Sequence, residues 1–125
     1  MPVLVYILYI DYSFAIKAAT AILTVEIIGA ALKFLYRKDR PVPMKRKTLY
    51  QIYDAGSFPS IHTARFAALL IVVAKLYLSW EFLLAGLPLV VAVGYSRVYL
   101  KKHYPVDVIG GFVIGAVIAL ICLLI

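Results

Sequence analysis

Four apolar runs of roughly twenty residues each leave this chain few ways to fold. They cover Phe14–Tyr36, Thr63–Ser79, Phe82–Leu100 and Val106–Ile125. A helix rises about 1.5 Å per residue, so about 20 residues cross a hydrocarbon layer about 30 Å thick. Apolar side chains surround each run on all faces, the pattern of helices in lipid rather than of amphipathic surface helices. Composition agrees: 65% of the 125 residues are hydrophobic, 15% are charged, and the mean hydropathy is +0.98. Soluble domains carry about 45–50% apolar and about 25% charged residues. The expected fold is therefore an all-α integral membrane protein, with four transmembrane helices in one bundle and residues 1–125 forming a single domain.

The connections are legible too. Pro2–Tyr12 is apolar but too short to cross alone, and Tyr6, Tyr9 and Tyr12 suit a short interfacial helix. It lacks the basic start and small-residue cleavage site of a signal peptide and is read as mature sequence. Arg37–Ile61 is polar and basic, with three prolines and a glycine, and is expected to be largely loop. Ser79-Trp80-Glu81 reads as a tight turn between antiparallel neighbours, and Pro105 suits the first turn of the last helix. Gly111 and Gly115, four apart, mark a close helix contact, within the bundle or with a second copy in a homo-oligomer.

A net charge of +7 would suggest nucleic acid in a soluble protein. With this apolar content the expected partners are instead membrane lipids and a phosphate-bearing lipid substrate. The single cysteine, Cys122, lies in an apolar run and excludes disulfides and cysteine-built metal sites within the chain.

Four spans put the end of the first, the start of the second, the end of the third and the start of the fourth at one membrane face. Topology thus gathers Lys33 and Arg40, Ser60 and His62, Ser96 and Arg97, and His103 and Asp107. Lys33, Arg40 and Arg97 would bind non-bridging phosphoryl oxygens, which arginine matches bidentately. Cations aimed at the transferring group supply most of the catalysis in phosphoryl transfer. His103 and Asp107 are one helical turn apart, so the carboxylate could hold a ring N–H and turn the other nitrogen toward the substrate. His62 could protonate the leaving oxygen.

These residues fall in three segments: Lys33-x6-Arg40-Pro41, Pro59-Ser60-Ile61-His62, and Ser96-Arg97-x5-His103-x3-Asp107. Together they resemble the three-part signature of the type 2 phosphatidic acid phosphatase superfamily, the membrane lipid phosphate phosphatases. The resemblance implies a covalent phosphohistidine at His103 with Asp107 orienting the ring. It also implies leaving-group protonation by His62, and phosphoryl binding by Lys33, Arg40, Ser60 and Arg97. It implies no metal and no other cofactor. The family has glycine where Ile61 stands, so either this backbone keeps φ negative or a phosphate-holding N–H is placed differently. Glycine at position 61 would then leave activity equal or higher.

Two further residues stand out. Glu26 lies deep in the first span, where an ionisable group is a functional candidate. Arg65, a turn into the second span, would pair with Glu26 or touch phosphate. The leading expectation is a phosphatase of a lipid phosphate or of an isoprenyl or polyprenyl diphosphate in the cell membrane. The rivals are a small proton-coupled transporter using Glu26 and an inactive family member that binds lipid. Arg37, Lys38, Arg40, Lys45, Arg46, Lys47, Lys101 and Lys102 all lie on the active-site face. By the positive-inside rule that face is expected to be cytoplasmic.

Overall fold

The computed structural model describes residues 2–76 and 80–124. It is all-α, with helices α1 (Pro2–Leu35), α2 (Leu49–Ala55), α3 (Ile61–Leu76), α4 (Trp80–Tyr99) and α5 (Pro105–Leu124). Three segments are long and apolar enough to cross a membrane: Ala15–Leu35, Trp80–Tyr99 and Pro105–Leu124. The fourth expected crossing corresponds to α3, which is described over 16 residues. That is about 24 Å of helix, shorter than a hydrocarbon core.

The N-terminal segment is not a separate interfacial helix. Pro2 occupies the first helical position, where its missing N–H costs nothing, and the helix then runs on without a break to Leu35. The expected break near Tyr12 does not form, because Asp11, Tyr12 and Ser13 do not stop a helix once their neighbours are helical. The side chains of Tyr6 and Tyr9 fall outside the described residues. So does Ser79 of the expected turn, whereas Trp80 and Glu81 already belong to the first turn of α4.

The basic segment also departs from a plain loop, because it contains α2. Thr48 is its N-cap: the Thr48 hydroxyl accepts the Gln51 N–H at 3.1 Å, and Gln51 Oε1 accepts the Thr48 N–H at 3.3 Å. This capping box satisfies donors that a 7-residue helix would otherwise expose to solvent. A backbone bridge between Asp39 and Gly56, and a Ser57 N–H to Lys38 carbonyl bond of 3.0 Å, then tie the two arms of the segment together.

At the centre lies α3, packed against α1, α4 and α5. The core joins Ala21 and Val25 of α1, Ile61, Ala64, Ala68 and Val72 of α3, and Ile118 and Ala119 of α5. These are mostly small residues. Lipid tails are as apolar as leucine, so helices in a bilayer gain by close van der Waals contact rather than by escape from solvent. The Gly111–Gly115 pair serves that contact within the chain. A β-carbon at Gly111 would lie 2.4 Å from the Ser60 carbonyl oxygen, and one at Gly115 would lie 2.2 Å from that of Ala64. Meanwhile Leu23, Leu89, Val91, Ile109, Leu120 and Leu124 all face outward.

Candidate active site

The expected site residues sit on helix ends and on the turns joining them. Lys33, in the last turn of α1, is buried beneath α2, where its Nζ donates to the Gly56 carbonyl at 3.0 Å and lies 5.1 Å from the centre of the Tyr53 ring. Arg40 fastens two parts of the chain. Its Nε donates to the Asp54 carbonyl at 2.9 Å and its NH1 to the Lys102 carbonyl at 2.8 Å, and that NH1 is also 3.4 Å from His103 Nε2.

The end of α4 explains the spacing between Arg97 and His103. The Lys102 N–H bonds the Arg97 carbonyl and the Lys101 N–H bonds that of Val98, each at 3.0 Å, while Lys101 has φ 58°. This is a Schellman turn, closed here by a lysine in the left-handed region rather than the usual glycine. The His103 N–H also reaches the Arg97 carbonyl, at 3.3 Å, so the turn folds the histidine back over the end of its own helix.

His103 is 2% exposed, and its Nδ1 is 2.7 Å from the Ser57 carbonyl oxygen. A carbonyl can only accept, so Nδ1 carries the proton and Nε2 keeps its lone pair. Burial, and then the neighbouring Arg40 guanidinium, push the ring down to about 4 from the ordinary histidine value of 6.5. The imidazole is therefore neutral near pH 7, the form in which a nitrogen can act as a nucleophile.

Asp107 is placed differently from expectation. Its carboxylate is fully buried, with Oδ2 3.8 Å from His103 Nδ1, too far for a hydrogen bond. Oδ1 instead pairs with Lys38 Nζ at 2.6 Å, and Oδ2 accepts the Tyr104 N–H at 2.8 Å, capping α5 and favouring its positive end. Ser57 holds the ring. Ser60 is also turned inward: its N–H bonds the Asp107 carbonyl at 3.0 Å, and its hydroxyl is 3.1 Å from that of Thr63. Ser96 bonds back to the Val93 carbonyl of its own helix.

The remaining expected residues meet around one cavity of about 190 Å³, lined by Lys33, Arg40, His62, Arg97 and His103 together with Tyr53, Asp54, Ile61 and Arg65. Four cations face one carboxylate there, which favours an anion over a metal cation. Arg97 Nε is buried without a hydrogen-bond partner, and a buried donor of that kind calls for an acceptor such as a phosphoryl oxygen. Arg65 Nε donates to Glu26 Oε1, so the expected pairing forms, and the Tyr53 hydroxyl lies 3.5 Å from Glu26 Oε2.

Sequence reasoning missed Ser57, Lys38, Tyr53 and Asp54. Ser57 and, toward Arg40 Nε, Asp54 bond through backbone carbonyls, which every residue has and no motif marks. Lys38 was one cation among many in a basic segment. Tyr53 could have been found, because the Thr48-x-x-Gln51 box signals the helix that carries it.

The chain is similar to known bacterial proteins. An undecaprenyl-diphosphatase, BcrC of Bacillus subtilis, is 34% identical over 97 residues, covering 74% of this chain and 47% of that protein. The bacitracin transport permease protein BcrC of Bacillus licheniformis is 34% identical over 110 residues, covering 84% of this chain and 52% of that protein. The chain thus spans about half the length of these curated relatives. No solved structure matches it. The family model of the PAP2 superfamily matches residues 14–125, a stretch that takes in all three signature segments, and on that match the chain belongs to the PAP2 superfamily.

Proposed function

We propose that this protein is a membrane phosphatase acting on a lipid phosphate, with an isoprenyl or polyprenyl diphosphate as the preferred class. The observation that carries the reading is the His103 ring. It is neutral, held through Nδ1 by Ser57, and lines a cavity shared with four cations, Lys33, Arg40, Arg65 and Arg97. Nε2 attacks the terminal phosphorus and the bond to the leaving oxygen breaks. That oxygen takes a proton from His62 and departs with the lipid. Water then attacks the same phosphorus, gives up a proton to His62, and the phosphorus–nitrogen bond breaks to release phosphate and restore both histidines. Lys33, Arg40 and Arg97 hold the non-bridging oxygens through both steps. In this reading Ser60 supports the cradle from behind, through its bonds to Asp107 and Thr63.

The substrate class draws support from the name of the Bacillus subtilis relative. The membrane setting draws support from the three long apolar helices, and α3, enclosed by α1, α4 and α5, is read as the fourth crossing. Glu26 is committed to an ion pair with Arg65, which disfavours the transporter reading. The cationic lining supports catalysis without a divalent metal.

The test is phosphate release by purified protein in detergent, with and without excess EDTA, together with trapping of the phosphoenzyme. Turnover that survives EDTA, inhibition by vanadate, and label on His103 lost in His103→Ala are the expected results. Loss of activity in EDTA that a divalent ion restores would refute the mechanism.

A further inference from the structure

His62 and Arg65 lie three apart on α3, so they share one face of the helix, and both line the cavity. Arg65 is one turn farther along that face than His62, away from the end of the helix. Its Nε donates to Glu26 of α1, which itself lies 3.5 Å from the Tyr53 hydroxyl of α2. Three helices therefore fix the direction of one guanidinium. The pair engages Nε, which leaves the terminal amino groups of the fork for a ligand.

The reaction gives that position a meaning. His62 protonates the leaving oxygen, so whatever is attached to that oxygen lies on the His62 side of the reacting phosphorus. In a monoester that group is an alkyl carbon, whereas in a diphosphate it is a second phosphate. Lys33, Arg40 and Arg97 belong to the phosphoryl group under attack. Arg65 is the remaining cation in the lining, and it stands beside the acid.

We propose that Arg65, aimed by Glu26, binds the lipid-attached phosphate of a diphosphate substrate and so makes the site selective for diphosphates over monoesters. The proposal rests on the phosphatase reading given above. As the bridging bond breaks, that phosphate gains charge, and a guanidinium beside it stabilises the change, so selectivity would appear in the transition state as well as in binding.

The experiment compares initial rates of phosphate release from farnesyl diphosphate and farnesyl monophosphate, which carry the same chain. Wild type, Arg65→Ala and Arg65→Lys are each measured for kcat/KM on both. The diphosphate-to-monophosphate ratio should fall roughly ten- to hundredfold in Arg65→Ala, as expected for loss of a charge-assisted bond, and Arg65→Lys should restore part of it. Should Arg65→Ala fail to fold, Arg65→Gln reads the same ratio with the side-chain length nearly kept. A ratio unchanged from wild type, whether both rates hold or both fall together, would show that the Glu26 pair is only structural and would overturn the proposal. Wild-type protein that releases phosphate from neither substrate would instead refute the phosphatase reading, and the selectivity proposal with it.

Discussion

His103 donates its Nδ1 proton to the carbonyl of Ser57 at 2.7 Å, leaving the Asp107 carboxylate 3.8 Å away and occupied by Lys38 and the Tyr104 N–H. The ring is thus oriented by backbone, which side-chain substitution cannot remove. In the proposed mechanism Asp107 still places negative charge near an imidazole that would become cationic on phosphorylation.

Asp107→Asn keeps an acceptor for the Tyr104 N–H and removes only the charge. It should lower kcat by about ten- to a hundredfold, the size expected for losing one partly compensated charge near the site. His103→Ala should abolish turnover. Single-turnover rates of the two purified variants make the comparison. An Asp107→Asn protein as inactive as His103→Ala would mean that the carboxylate takes over the ring proton during turnover.

The depressed pKa of His103 also predicts how stability changes with pH. The folded ring titrates at about 4 and the unfolded ring near 6.5. Between those values the unfolded chain binds a proton that the native chain refuses. The contribution is therefore fully present above about 6.5 and is lost as pH falls toward about 4. It is on the order of 3 kcal/mol at most. Thermal unfolding in detergent should show this acid-side loss in wild type and a shallower one in His103→Gln, which cannot take up the proton.

Ile61 has a complement in Gly29. A β-carbon at Gly29 would lie 2.1 Å from Ile61 Cδ1 and 3.5 Å from its Cγ1. Lys101 is the one non-glycine residue with positive φ among those described, so Ile61 keeps φ negative and has no strain for glycine to relieve. Its side chain is 5% exposed and belongs to the core. The expectation that Ile61→Gly leaves activity equal or higher therefore reverses: it should destabilise by about 2–5 kcal/mol and lower activity. Gly29→Ala should cost about 1–3 kcal/mol through the Cδ1 collision. Ile61→Val removes that methyl, so the double variant should lose less than the sum of the single losses, as read from melting temperatures.

Orientation can be read with single cysteines in a Cys122→Ala background, at Lys47 in the basic segment and at Glu81 at the start of α4. The cation excess beside the site predicts that an impermeant maleimide labels Glu81→Cys and spares Lys47→Cys in intact cells. The opposite labelling would put the site on the outer face.

The sequence by itself determined the environment, the order of the long helices and the family. Hydrophobic run length is a local quantity set by bilayer thickness, and three motifs at helix ends announce themselves by spacing alone. The tertiary structure decided which groups touch. It merged the N-terminal segment into α1, because no residue there can stop a helix, and it formed α2 from a capping box set among prolines. It assigned the ring proton of His103 to a backbone carbonyl 46 residues away in the chain, turned Ser60 away from the cavity, and paired Glu26 with Arg65 across α1 and α3. The last three choices depend on distances between segments remote in sequence. The turn that folds His103 back over Arg97 is local, but where it delivers the ring depends on the close approach of α5 to α3 that Gly111 and Gly115 permit, a distance that no local stretch of residues sets.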